Sequence, residues 1–193
     1  MNEAVWLFDG ECRRRESLLR QKDFDAYCLF CMSGSEVRLA QEINCLNPEC
    51  LAMPFLRMMH RSRNGERYLV QDVLLKGYVF LFVPEQSDIE LLRKGETCFR
   101  VLERKRGGGL LIGDDRRYAN WVLERGGILE VSQAARINDR VKIVSGPLLD
   151  LEGYITAFSK KNRNCRVLFE IMGRQLDVWL PFDWVESAES ISL

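Results

Sequence analysis

Cys28 and Cys31 are the first residues in the chain whose spacing could hold a metal or run thiol–disulfide chemistry. Their setting argues against both. Tyr27 to Met32 reads as a short apolar strand, on which residues three apart point to opposite faces, and no second cysteine pair has ligand spacing. His60 is the single histidine. A Ser-His-Asp or Cys-His centre would need that one side chain, which stands at a strand end among arginines. Gly107 to Gly109 lacks the Gly-Lys-Ser/Thr that lets a loop hold nucleotide phosphates. No pair of carboxylates stands apart from ordinary surface charge. The expectation is a protein that is not an enzyme, with no catalytic residue, no metal and no cofactor.

The residues that could bind are of another kind. Lys160, Lys161, Arg163 and Arg166 place four positive charges and no acid in one hairpin, with Arg174 in the next turn. Trp179 points away from the alternating Leu176, Val178 and Leu180. Cations beside an exposed aromatic can pair with phosphates and stack a base. Three or four phosphate contacts would give log affinity a slope of about −2 to −3 against log salt, at roughly −0.7 per contact. The alternative is a solvated hairpin tip, with Trp179 covering the outer wall of the domain. A second cluster, Arg61, Arg63 and Arg67, flanks the turn Asn64-Gly65, and a third, Arg104-Lys105-Arg106, precedes Gly107. Each could lie against nucleic acid or a protein partner, or be a charged surface loop. With 28 basic side chains balancing 28 acidic ones, any nucleic-acid contact must come from such patches and not from a bulk field.

These residues need elements to hold them. The 193 residues have room for one large or two small domains, and 47% hydrophobic with 29% charged residues is ordinary globular composition. No apolar run approaches the roughly 18 to 20 residues that span a bilayer, and Val5 to Phe8 is soon followed by Asp9, Glu11 and Arg13 to Arg15, unlike a signal core. Seven cysteines, five of them (Cys28, Cys31, Cys45, Cys50, Cys98) in or beside apolar segments, suit reduced thiols. The expectation is a cytoplasmic monomer without membrane contact.

In the first half, Ser35 is a candidate N-cap for a helix whose face is Leu39, Ile43 and Leu46. Asn64-Gly65 predicts a hairpin between extended segments at 51–61 and 68–75. Tyr78 to Pro84 is apolar on both faces and predicts a central strand. Ser87-Asp88-Ile89-Glu90 has capping-box spacing for a helix ending near Gly95, and Cys98 to Leu102 is a strand. A further helix follows Asp114-Asp115 and stops at Gly126-Gly127. In the second half, short stretches with period-two alternation (Val141, Ile143; Val167, Phe169, Ile171; Leu176, Val178, Leu180) and turn signals about every ten residues favour a small closed barrel.

The order Ile137 to Gly153, with its Gly146-Pro147 turn and Gly153 one strand-turn later, followed by Cys165 to Ile171, resembles a KOW domain. Tyr27-Cys28-Leu29-Phe30-Cys31 and Leu75-Lys76-Gly77-Tyr78-Val79-Phe80-Leu81 resemble the opening strand and the φFPGYφφV segment of the NusG family. Together these resemblances cover about 160 residues. They imply an α+β fold: an NGN-type antiparallel sheet flanked by helices over residues 25–130, a linker at 131–136, and an SH3-like KOW barrel at 137–187. Residues 1–24 are an extension with no counterpart in that core.

The resemblance further implies that the sheet domain holds RNA polymerase through an aromatic-lined hollow. Its matching positions here are Phe30, Leu75, Tyr78 and Phe80, with Tyr78, Phe80 and Phe82 on one strand face. The competing reading packs these rings beneath a helix. The basic hairpin would then meet nascent RNA, or the barrel another elongation factor or ribosomal protein. Leu148-Leu149-Asp150-Leu151 replaces the aromatic-containing loop of housekeeping members, which favours a specialised antiterminator similar to the LoaP group. The alternatives are a housekeeping factor that couples polymerase to Rho or the ribosome, and a ribosome-associated RNA-binding protein.

Overall fold

The computed structural model describes residues 9–21, 24–85, 89, 99–102, 109–137, 140–171 and 174–185. In chain order these form α1 (Asp9–Gln21), β1 (Phe24–Cys31), α2 (Glu36–Leu46), β2 (Leu51–Pro54), β3 (Leu56–Arg63), β4 (Glu66–Val73), β5 (Tyr78–Pro84) and β6 (Phe99–Val101). They continue as α3 (Gly113–Glu124), β7 (Ile128–Leu129), β8 (Ser132–Ile137), β9 (Arg140–Ser145), β10 (Ile155–Ser159), β11 (Asn164–Ile171) and β12 (Arg174–Trp184). The fold is α+β, and the chain divides into two compact units, 1–56 with 73–128 and 57–72 with 129–193. The helix expected over Ser87–Gly95 (Ile89 apart) and the cluster Arg104-Lys105-Arg106 lie outside the described residues.

The first unit carries a four-stranded antiparallel sheet in the order β2-β5-β1-β6. Strand β5, apolar on both faces, takes the interior position its composition demands, and Tyr78 to Val83 are all buried. Helix α2 begins after Ser35, whose side chain makes no capping bond. The adjacent carboxylate of Glu36 accepts from the Gly34 amide instead, at 2.8 Å. Helix α3 carries Asp114 and Asp115 in its first turn, where the helix dipole favours anions, and stops at Gly126 and Gly127, both with positive φ.

Within the N-terminal extension, Asp9–Gln21 form helix α1. Two adjacent arginines of α1 satisfy helix ends that would otherwise leave carbonyls unpaired. Arg14 donates to the carbonyl of Asn44 (2.8 Å) in the last turn of α2 and to that of Cys50 (3.0 Å) just before β2. Arg15 donates to Leu123 (2.6 Å) and Glu124 at the end of α3. Beneath them the buried Asn44 amide donates to Glu11 (2.8 Å) and exchanges two bonds with the Ala52 backbone.

In the second unit, β3 and β4 form the hairpin that Asn64-Gly65 predicts, with φ of 54° and 85° at the two turn residues. The five-stranded sheet runs β10-β11-β12-β8-β9, curled as a small barrel requires. Residues 132–136, read from sequence as linker, form strand β8, which pairs in parallel with β12 from Phe182 opposite Ser132. The small Ser132, Ala134 and Ala135 are buried there. The Ser132 hydroxyl accepts from the Leu148 amide at 3.0 Å, fixing the turn after β9. Gly146 in that turn has φ of 91°, and a Cβ there would lie 2.8 Å from the Ser132 Cα, so glycine is required. At Gly153, where the KOW resemblance implies a glycine that lets the chain bend tightly, φ is not positive and a Cβ would meet open space, so glycine is not required.

Candidate protein and nucleic-acid interfaces

Strand register assembles one row of side chains across three strands. Tyr78 of β5 stands opposite Phe30 of β1, and Phe30 opposite Arg100 of β6. The Phe30 and Tyr78 rings meet edge-on at 5.5 Å, and the Arg100 guanidinium lies 4.8 Å from the Phe30 centroid. Exposure rises along the row: Tyr78 is 3% exposed, Phe30 is half-buried and Arg100 is exposed.

This corrects the expected open hollow. Leu75, Tyr78 and Phe80 are buried, as is Phe82. The reason is that β5 has a partner strand on each side and apolar cover on this face. Phe80 sits between Cys28 and Met53 in neighbouring strands. Phe82 packs edge-on against Phe24 at 5.8 Å, and Arg116 of α3 lies 4.4 Å over that ring. Of the four positions matched to the polymerase contact, Phe30 alone keeps partial exposure. Arg100 escaped the sequence reading because only the β1–β6 register shows that it faces Phe30.

A buried carboxylate holds this end of the sheet. Glu36, 1% exposed, accepts from the amides of Gly34 and Gly77 at 2.8 and 2.6 Å, tying two turns together. Gly77 (φ 82°) packs so closely that a Cβ would come 3.3 Å from both the Cys31 carbonyl and the Phe30 ring. Burial, and secondarily Glu36, pushes the Cys31 thiol up to about 11. Cys28 pairs with Phe80 and Cys31 with Phe99, so the two thiols face opposite sides of the sheet. Among the described residues no group of three or more His, Cys, Asp and Glu gathers as a metal site.

The basic patch of the second unit is arranged differently. Arg166 stands opposite Trp179, as a joint cation–aromatic site requires, and Trp179 is 42% exposed. Yet Arg166 donates through Nε to Asp177 at 2.8 Å and through a second nitrogen to its other oxygen. That bidentate bond raises the Arg166 pKa and lowers that of Asp177. Arg163 lies 3.3 Å from Asp183. Lys160 and Lys161 are exposed, and Arg174 begins β12.

On the hairpin, the two-residue turn sets Arg63 against Glu66, Arg61 against Tyr68 and Arg57 against Asp72, the last an ion pair at 2.9 Å. Alternation therefore puts Arg61, Arg63 and Tyr68 on one face and Arg67 on the other, all of them exposed. His60 of β3 is half-buried, with its Nε2 3.4 Å from a carboxylate oxygen of Asp183. In the turn after β9, Leu148 and Leu151 point inward, while Leu149 and, beyond them, Tyr154 are exposed.

No family profile matches the chain. It is 25% identical over 149 residues to the transcription termination/antitermination protein NusG of Thermus thermophilus, covering 70% of this chain and 79% of that protein. A solved structure described as the domain interaction in Thermotoga maritima NusG covers 83% of this chain and 94% of its own, at 19% identity and a TM-score of 0.46. In sequence, through most of its length, this chain is therefore similar to the NusG transcription factors.

Proposed function

We propose that this protein is a transcription elongation regulator that binds RNA polymerase through the sheet domain and uses the KOW-like barrel for nascent RNA. The observation that carries this reading is the similarity to a termination/antitermination protein over 149 residues, spanning parts of both halves. It acts as a bridge and not as a catalyst. Contact with polymerase centres on Phe30, with Tyr78, Leu75 and Phe80 supporting it from the core, and the barrel offers Trp179 with Lys160, Lys161, Arg163, Arg166 and Arg174. The altered loop Leu148 to Leu151 favours a specialised antiterminator over a housekeeping factor.

A protein partner for the barrel is the second reading, favoured by the exposed apolar Leu149, Tyr154 and Phe158. The test is capture of the host's core RNA polymerase by the full chain. Phe30→Ala should weaken it about tenfold or more, as expected for an aromatic anchor. Undiminished capture by that variant, or none by the wild type, rejects the polymerase reading.

A further inference from the structure

We infer that Arg100 selects the partner of the sheet domain by charge, so that the docking surface on polymerase presents a carboxylate beside an apolar side chain. The inference rests on the polymerase reading above and adds the chemistry of the contact.

Three features carry it. First, Arg100 is exposed and has no carboxylate partner among the described residues, whereas Arg163 and Arg166 have one each. Second, its guanidinium carbon lies 4.8 Å over the centroid of the Phe30 ring, which holds the cation beside the half-exposed aromatic, and a guanidinium carries the paired N–H donors that a carboxylate meets bidentately. Arg116 shows the contrast: placed 4.4 Å over the Phe24 ring, it gives a donor to the Phe24 carbonyl at 2.5 Å. Third, Arg100 covers a face of Phe30 and Tyr78 meets the ring edge-on, so the site suits a protein side chain better than a stacked base. The turn that backs Phe30 is pinned by Glu36 and Gly77, so the row is already in place before any partner arrives.

The experiment titrates host core polymerase into the labelled full chain at two salt concentrations, for wild type, Arg100→Leu, Arg100→Glu and Phe30→Ala. Melting curves confirm that each variant folds. Removing one interfacial charge should weaken binding about tenfold and flatten its salt dependence, and reversing it should weaken binding about a hundredfold. If Phe30→Ala loses binding while both Arg100 variants match wild type, the dock stands and the role of Arg100 is overturned. If wild type binds and Phe30→Ala is unaffected, or wild type fails to bind, the polymerase reading itself falls and takes this inference with it. A loss of single-stranded RNA affinity in Arg100→Leu with polymerase affinity unchanged would also overturn it, assigning the arginine to phosphate.

Discussion

The Phe30 row and the Arg166–Trp179 patch are built in opposite ways. In the first, most of the aromatic rings went into the core, and a single half-exposed ring and one exposed cation remain at the surface. In the second, the aromatic ring is exposed and two of the cations, Arg166 and Arg163, are held by Asp177 and Asp183. The lesson is that residue type does not set availability. An aromatic strand segment can be scaffold, and the arginines of a basic hairpin can be held by carboxylates from the next strand. The first site gains its rigidity from buried backbone bonds; the second has surface ion pairs, which are weak and salt-sensitive.

The largest expected effect would break the first half of this comparison. Glu36→Leu leaves the Gly34 and Gly77 amides without their acceptor and should cost about 2 to 4 kcal/mol in urea unfolding. Glu36→Gln, which retains one acceptor oxygen, should recover part of it. An unchanged midpoint for Glu36→Leu would mean that the carboxylate does not hold the turn behind Phe30. Somewhat smaller is Gly146→Ala in the barrel, which forces a side chain into the left-handed region and against Ser132. About 1 to 3 kcal/mol is expected, read from thermal melts. An unaffected melt would show that the turn relaxes freely.

The mildest change sharpens the second half. Asp177→Asn frees Arg166 without altering shape, so the salt slope of RNA binding should steepen by roughly 0.7, one added phosphate contact. A slope equal to wild type would remove Arg166 from the nucleic-acid reading. In the wild type, the depressed pKa of Asp177 means that its ion pair is intact above the ordinary carboxylate range and is lost as pH falls through the folded value.

Much of the architecture was legible in the residues themselves. Asn64-Gly65 announced a hairpin because both positions accept positive φ, Gly126-Gly127 announced the stop of α3, and a heptapeptide apolar on both faces had to be an interior strand. Local conformational preference and hydrophobic period are encoded within a few residues, so the chain alone determines them.

Only the tertiary structure decided what those elements expose. That Tyr78 is sealed while Phe30 is half open, that Arg100 lies on Phe30, that Arg166 is held by Asp177, and that residues 132–136 are strand and not tether all depend on register between distant segments. The same holds for α1, whose Arg14 and Arg15 found their carbonyl partners 30 and 108 residues away. Such pairings are set by the summed packing of the whole core, and no local window of sequence contains both partners.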